Sequence, residues 1–163
     1  MEQLAKDYAD RVHFLFIYTR EAHPGELIPH HTSFEQKVRQ GQMLRDRGMN
    51  RQMIIDNLNG DVHRLYSGLS NMSWIIDHTG RVAYKASWTD SADIRMALEE
   101  TVTMRERKSS GGMVNEFYRE MVGLRLVRPE GPGMLGGEKA TEDFKKGNAA
   151  FAAAAKASEK VGG

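Results

Sequence analysis

The chain has 163 residues, a length suited to one domain of ordinary size with room for an appendage, and can bury a sizeable core. Its 23 basic and 22 acidic side chains leave a net charge of +1, which gives no case for the electrostatic footprint of a nucleic-acid binder. It has no cysteine, which excludes disulfides, thiolate metal ligands and any mechanism in which this chain supplies a thiol nucleophile.

The start, Met1-Glu2-Gln3-Leu4-Ala5-Lys6-Asp7, lacks the uninterrupted apolar core of a secretory leader, and no later run approaches the ~20 apolar residues of a membrane span. A cytoplasmic protein with no membrane span is expected. Residues 2–10 read as a short helix, with Leu4 and Tyr8 four apart on one face. The apolar run Val12 to Ile17 reads as an inner strand, so the polar cluster after it, Tyr18 to Glu26, lies where α/β sheets usually place their sites.

Pro24, Gly25 and Pro29 make residues 24–31 a loop. Thr32 and Ser33 are each followed three residues later by Glu35 or Gln36, so either register forms a capping box for a helix over 34–46. Gln52 to Asp56 reads as a short strand and Val62 to Tyr66 as a short helix. Met72 to Asp77 and Arg81 to Ser87 form a hairpin through His78-Thr79-Gly80. A helix capped by Asp90 or Ser91 then carries Ile94, Ala97, Leu98, Thr101 and Val102 as a continuous stripe toward a sheet.

Ser109 to Gly112 reads as a linker. Val114, Phe117, Tyr118, Met121 and Val122 repeat the amphipathic spacing, which predicts a short helix over 113–123 with an apolar face in need of a partner. A Gly/Pro-rich stretch follows, then an alanine-rich helix over 138–160 interrupted at Gly147, in which Phe144 and Phe151 are the large apolar residues. This tail has too few apolar groups for a core of its own and is expected to order on another chain.

Three segments resemble the iodothyronine deiodinase and redoxin-like branch of the thioredoxin superfamily: Glu21-Ala22-His23-Pro24, Asp61 to Gly68, and Asn71 to Trp88 with its Asn-Met-x-Trp-Ile-Ile-Asp hairpin. The likeness covers roughly residues 4 to 102. It implies a thioredoxin-like α/β fold over 1–108, lacking the N-terminal βα unit that carries the family's redox-active cysteine or selenocysteine, followed by a helical and extended appendage over 109–163. It also implies a proline before the hairpin, usually cis, where this chain has Ser70. A non-proline cis bond costs ~3 kcal/mol, so a trans peptide and a reshaped loop are expected.

Glu21 and His23 match the polar pair that the family places beside its catalytic centre, and a histidine beside a carboxylate suits proton transfer near neutral pH. With the nucleophile absent, the favoured reading of the same residues is structural, tying the loop down by hydrogen bonds. His23, Glu26, His30 and His31, with Glu21, are also N and O donors within one loop, of a kind that suits zinc, iron or copper, although their spacing matches no established ligand signature.

The leading expectation is a redox-inactive thioredoxin-like subunit, needing no cofactor, that binds other protein subunits. It would do so through Val114, Phe117, Tyr118, Met121, Val122, Phe144 and Phe151 and through an exposed sheet edge, with homo-oligomers allowed. The alternatives are an acid–base enzyme built on Glu21 and His23, metal-assisted or not, and part of a deiodinase or peroxiredoxin-like reductase whose cysteine or selenocysteine half lies elsewhere.

Overall fold

Each regular element begins where a local cap or a change of periodicity allows it. The computed structural model describes residues 1–66, 68–117, 119–123 and 135–159. The elements in order are α1 (Glu2–Asp7), β1 (Leu15–Tyr18), α2 (Phe34–Asp46), β2 (Gln52–Ile55), α3 (Asp61–Tyr66), β3 (Ser73–Ile76), β4 (Val82–Ala86), α4 (Ser91–Ser109) and α5 (Glu138–Glu159). The protein is therefore mixed α/β. No described helix is long and apolar enough to cross a membrane.

The chain divides into two units, each made of two stretches of sequence. The first comprises Met1–Thr19 with Gly41–Val122, and the second Arg20–Gln40 with Gly123–Gly163. The boundary at Gln40 falls within α2.

In the first unit, β1 and β2 run parallel, with Leu15 opposite Gln52 and Tyr18 opposite Ile55. The hairpin β3–β4 is antiparallel, pairing Trp74 with Lys85, and its register shifts between Ile75 and Ile76. These are two separate two-stranded ladders. The apolar core is shared by helices and hairpin: Leu4 and Tyr8 of α1, Ile75 of β3, and Ile94 and Leu98 of α4 are buried together, with Val12, Phe14 and Tyr84 against them. This is the face that the stripe on α4 predicts.

Polar contacts hold α1 in place. The Tyr8 hydroxyl donates to Glu99 at 3.3 Å, and Arg95 pairs with Asp7 at 2.5 Å while lying over the Tyr8 ring. Arg51 pairs with Glu2 at 2.6 Å, and its guanidinium carbon stands 5.6 Å from the Phe16 ring centre. The ends of α4 follow local rules. Asp90 accepts from the backbone N–H groups of Ala92 and Asp93, and the far end closes as a Schellman motif, with Gly111 N–H to Lys108 and Gly112 N–H to Arg107. Residues 109–112 thus act first as a helix stop. At the start of α2 the Ser33 register prevails: its hydroxyl accepts from Gln36 N–H, and the Gln36 side chain accepts from Thr32.

No cis peptide bond occurs among the described residues; beside Ser70 the chain turns instead at Asn71, with φ +66°, a conformation asparagine tolerates. Two expectations are corrected. Residues 113–117 and 119–123 form no helix. Met113, Phe117, Met121 and Val122 are 97%, 81%, 76% and 92% exposed, and with no surface to pack on, a helix of this length does not cover its nucleation cost. Secondly, α5 continues through Gly147, because one glycine costs about 1 kcal/mol and its alanine-rich neighbours offset it.

The core contacts set a clear hierarchy. Leu98→Ala is expected to lower unfolding free energy by about 2–5 kcal/mol in urea titration, whereas Leu65→Ala, at a position 82% exposed, changes it by about 0.5 kcal/mol or less. In the hairpin turn, Asp77 accepts from the Thr79 hydroxyl and from the N–H groups of Thr79 and Arg81, which takes its carboxyl from 3.8 to about 2. That contribution is complete above the ordinary value and is lost as pH falls toward about 2. Asp77→Asn should therefore flatten the acid limb of stability against pH in that interval.

Candidate functional site

The loop after β1 belongs to the second unit, and its polar residues fall into three small groups. Glu21 and His23 form the first. Glu21 is partly buried, and its Oε1 accepts from the backbone N–H of His23 at 3.3 Å. Burial pushes the Glu21 carboxyl up from its usual range, against the opposing pull of that N–H and of the nearby His23 and His30 imidazoles. The pair is thus joined by a backbone bond of the kind that ties a loop down.

The second group is Glu26 and the start of α5. One Glu26 carboxylate oxygen accepts from Glu138 N–H at 2.6 Å and the other from Lys139 N–H at 3.2 Å, so this loop side chain caps a helix more than a hundred residues away. Its own backbone N–H, then those of Glu138 and Lys139, hold the carboxyl below its usual range. Around it the two backbones nearly touch. A Cβ on Gly25 would fall 2.1 Å from the Gly136 carbonyl oxygen, and Leu27 N–H donates to that same oxygen at 3.0 Å. Gly137 sits at φ +109°, where a side chain would be strained and would meet the Glu26 carboxylate. Ala140 is fully buried, and Phe144, one turn on, meets the His23 imidazole edge-on with ring centres 5.2 Å apart.

The third group is His31, Lys37 and Gln40. Gln40 donates to the Pro29 carbonyl at 3.1 Å and hydrogen-bonds the His31 side chain. Burial first, then the Lys37 charge, pushes the His31 imidazole down, so the ring is held neutral over a wider pH range. Lys37 and Gln40 are themselves buried, at 1% and 4% exposure.

Of the residues considered as metal ligands, His23 and Glu26 face α5, His30 is exposed and His31 lies with Gln40. Among the described residues no three histidine or acidic side chains come together to hold a metal ion. Of the residues assigned to partner binding, Phe117, Met121 and Val122 are exposed and Val114 is partly buried. Phe144 packs within the second unit; Tyr118 and the Phe151 side chain lie outside the described residues.

Sequence reasoning passed over Asp56, a buried carboxylate just after β2 in the first unit. It accepts from Asn57 and Val62 N–H through one oxygen and from His63 N–H through the other, and so caps α3. An Asp-Asn pair directly ahead of a short helix was the available signal. His63, only 8% exposed, keeps its backbone in this cap, and its Nε2 is buried without a hydrogen-bond partner among the described residues.

No protein-family model matches this chain, and no solved structure matches it.

The electrostatics of Glu21 can be tested directly. Its carboxyl is raised on folding, so the folded chain holds the proton more tightly, and stability declines as pH rises through the unfolded value toward the folded one. Glu21→Gln should raise the urea midpoint near pH 7, with the difference closing below about pH 4. A carboxyl titration midpoint at or below 4.5 by NMR would contradict the burial described here.

Proposed function

We propose that this chain is a redox-inactive, thioredoxin-like subunit that works by binding other proteins. The observation carrying this reading is the stretch over 113–117 and 119–122, which leaves large apolar side chains in solvent while Glu116 and Arg119 are engaged by α4. Glu116 pairs with Lys108, and Arg119 pairs with Glu100 at 3.1 Å. The backbone is thus tethered by ion pairs, and Met113, Phe117, Met121 and Val122 are left outward as the side chains a partner would cover.

Two further features support it. Strands and helices alternate ahead of a hairpin and a final helix, as the resemblance to thioredoxin-like domains implies, although the strands pair as two separate ladders, and the chain has no cysteine with which to perform that fold's thiol chemistry. Among the described residues each strand also has a ladder partner on one side only, and an open strand edge is a surface that a partner strand extends.

A second reading, proton transfer by Glu21 and His23, is favoured by the burial of Glu21 beside an imidazole, which pushes its carboxyl up and makes the carboxylate a better proton acceptor. It requires turnover that disappears in both Glu21→Gln and His23→Ala while folding is retained.

The binding reading predicts that Phe117→Asp with Val122→Asp removes this protein from its native complex, read by native mass spectrometry of material isolated from its own cells. Both side chains are exposed, so the melting temperature should stay within about 2 °C of the parent. An unchanged complex in the folded double variant would exclude this segment as the contact.

A further inference from the structure

The contact between the 23–27 loop and α5 joins segments far apart in sequence, and its hydrogen bonds are made by polar side-chain and backbone groups. On the loop side stand the His23 ring, the Gly25 backbone, the Glu26 carboxylate and Leu27 N–H. On the other stand Gly136, Gly137, the first turn of α5, Ala140 and Phe144. The glycines bring the two backbones close enough for Glu26 to supply the cap that α5 would otherwise need from its own N-terminal neighbour. That neighbour is Gly137, which has no side chain to give. The start of α5 therefore depends on the loop, and the setting of His23 depends on Phe144 of α5.

We infer that α5 is a detachable strap over the Glu21–His23 loop, clasped at its first turn by Glu26, so that the His23 imidazole becomes fully available only when the strap leaves. The large apolar contribution of the strap along its described face is the single ring of Phe144, next to the small Ala140. Removing the clasp therefore removes most of what fixes the helix start, and closure and exposure of the loop are two states of one contact. The inference concerns the loop alone and stands whether or not the 113–122 segment binds a partner.

The test is hydrogen exchange by mass spectrometry on the full chain, with diethylpyrocarbonate labelling of histidines read by peptide. Two variants break the clasp by different routes. Glu26→Ala removes the cap, and Gly25→Ala forces a Cβ against the Gly136 carbonyl. In each, amides over 138–147 should exchange at least ten-fold faster and His23 should be labelled at least three-fold faster, while α4, the β3–β4 hairpin and labelling of the exposed His13 and His78 stay as in the parent. Unchanged exchange over 138–147 in both variants overturns the clasp. Faster α5 exchange with unchanged labelling of His23 overturns the cover. Faster exchange in α4 as well would make the contact part of global stability and overturn detachment.

Discussion

A two-stranded β-ladder is marginal in water, because half of its backbone donors and acceptors face outward and its single layer buries little on its own. This chain builds two such ladders, and the rest of the first unit answers that constraint. Helices α1 and α4 bring Leu4, Tyr8, Ile94 and Leu98 onto Ile75 of the hairpin, and the segment leading into β1 adds Val12 and Phe14 to the same cluster. At their margins, Arg51 joins the start of α1 to the approach to β2, and Asp56 turns the end of β2 directly into α3. Among the described residues each ladder keeps an open edge on either side. The proposed role in assembly follows from the same shortage.

The described loop of the second unit solves a different problem, largely with polar and backbone groups. Its loop carries two prolines and a glycine and cannot satisfy its own backbone by regular structure. Gln40 takes up the Pro29 carbonyl, Gly25 N–H reaches the Ile28 carbonyl, and Leu27 N–H reaches across to Gly136. The loop residues that look catalytic in sequence are thus partly spent on architecture. Glu21 receives the N–H of His23, and Glu26 receives those of two residues at the start of a remote helix.

Much of the first unit was legible in the sequence because its signals are local. The stripe on α4, the Asp90 cap, the Ser33 capping box and the Gly-containing hairpin turn each depend on neighbours within one turn of chain, and each forms as read. The 113–123 segment shows the limit of periodicity. A 3.6-residue pattern states which face a helix would bury, but does not supply the surface that pays for nucleation. Gly147 shows the reverse, a local breaker overridden by good helix formers on both sides. The role of Glu26 was illegible for a third reason: its partners lie 112 and 113 residues away, and nothing in a Pro-Gly-Glu triplet announces a helix to be capped.

The composition of the α5 contact has a calorimetric consequence. Heat capacity changes on unfolding come chiefly from exposing apolar surface, while exposing polar groups works in the opposite sense. A contact made of a carboxylate, backbone amides, close glycines, Ala140 and one aromatic edge therefore separates with a smaller heat capacity change than the leucine- and isoleucine-lined core. Its free energy curves less with temperature than that of the core. Cooling therefore weakens this contact less than it weakens the core's hydrophobic contribution.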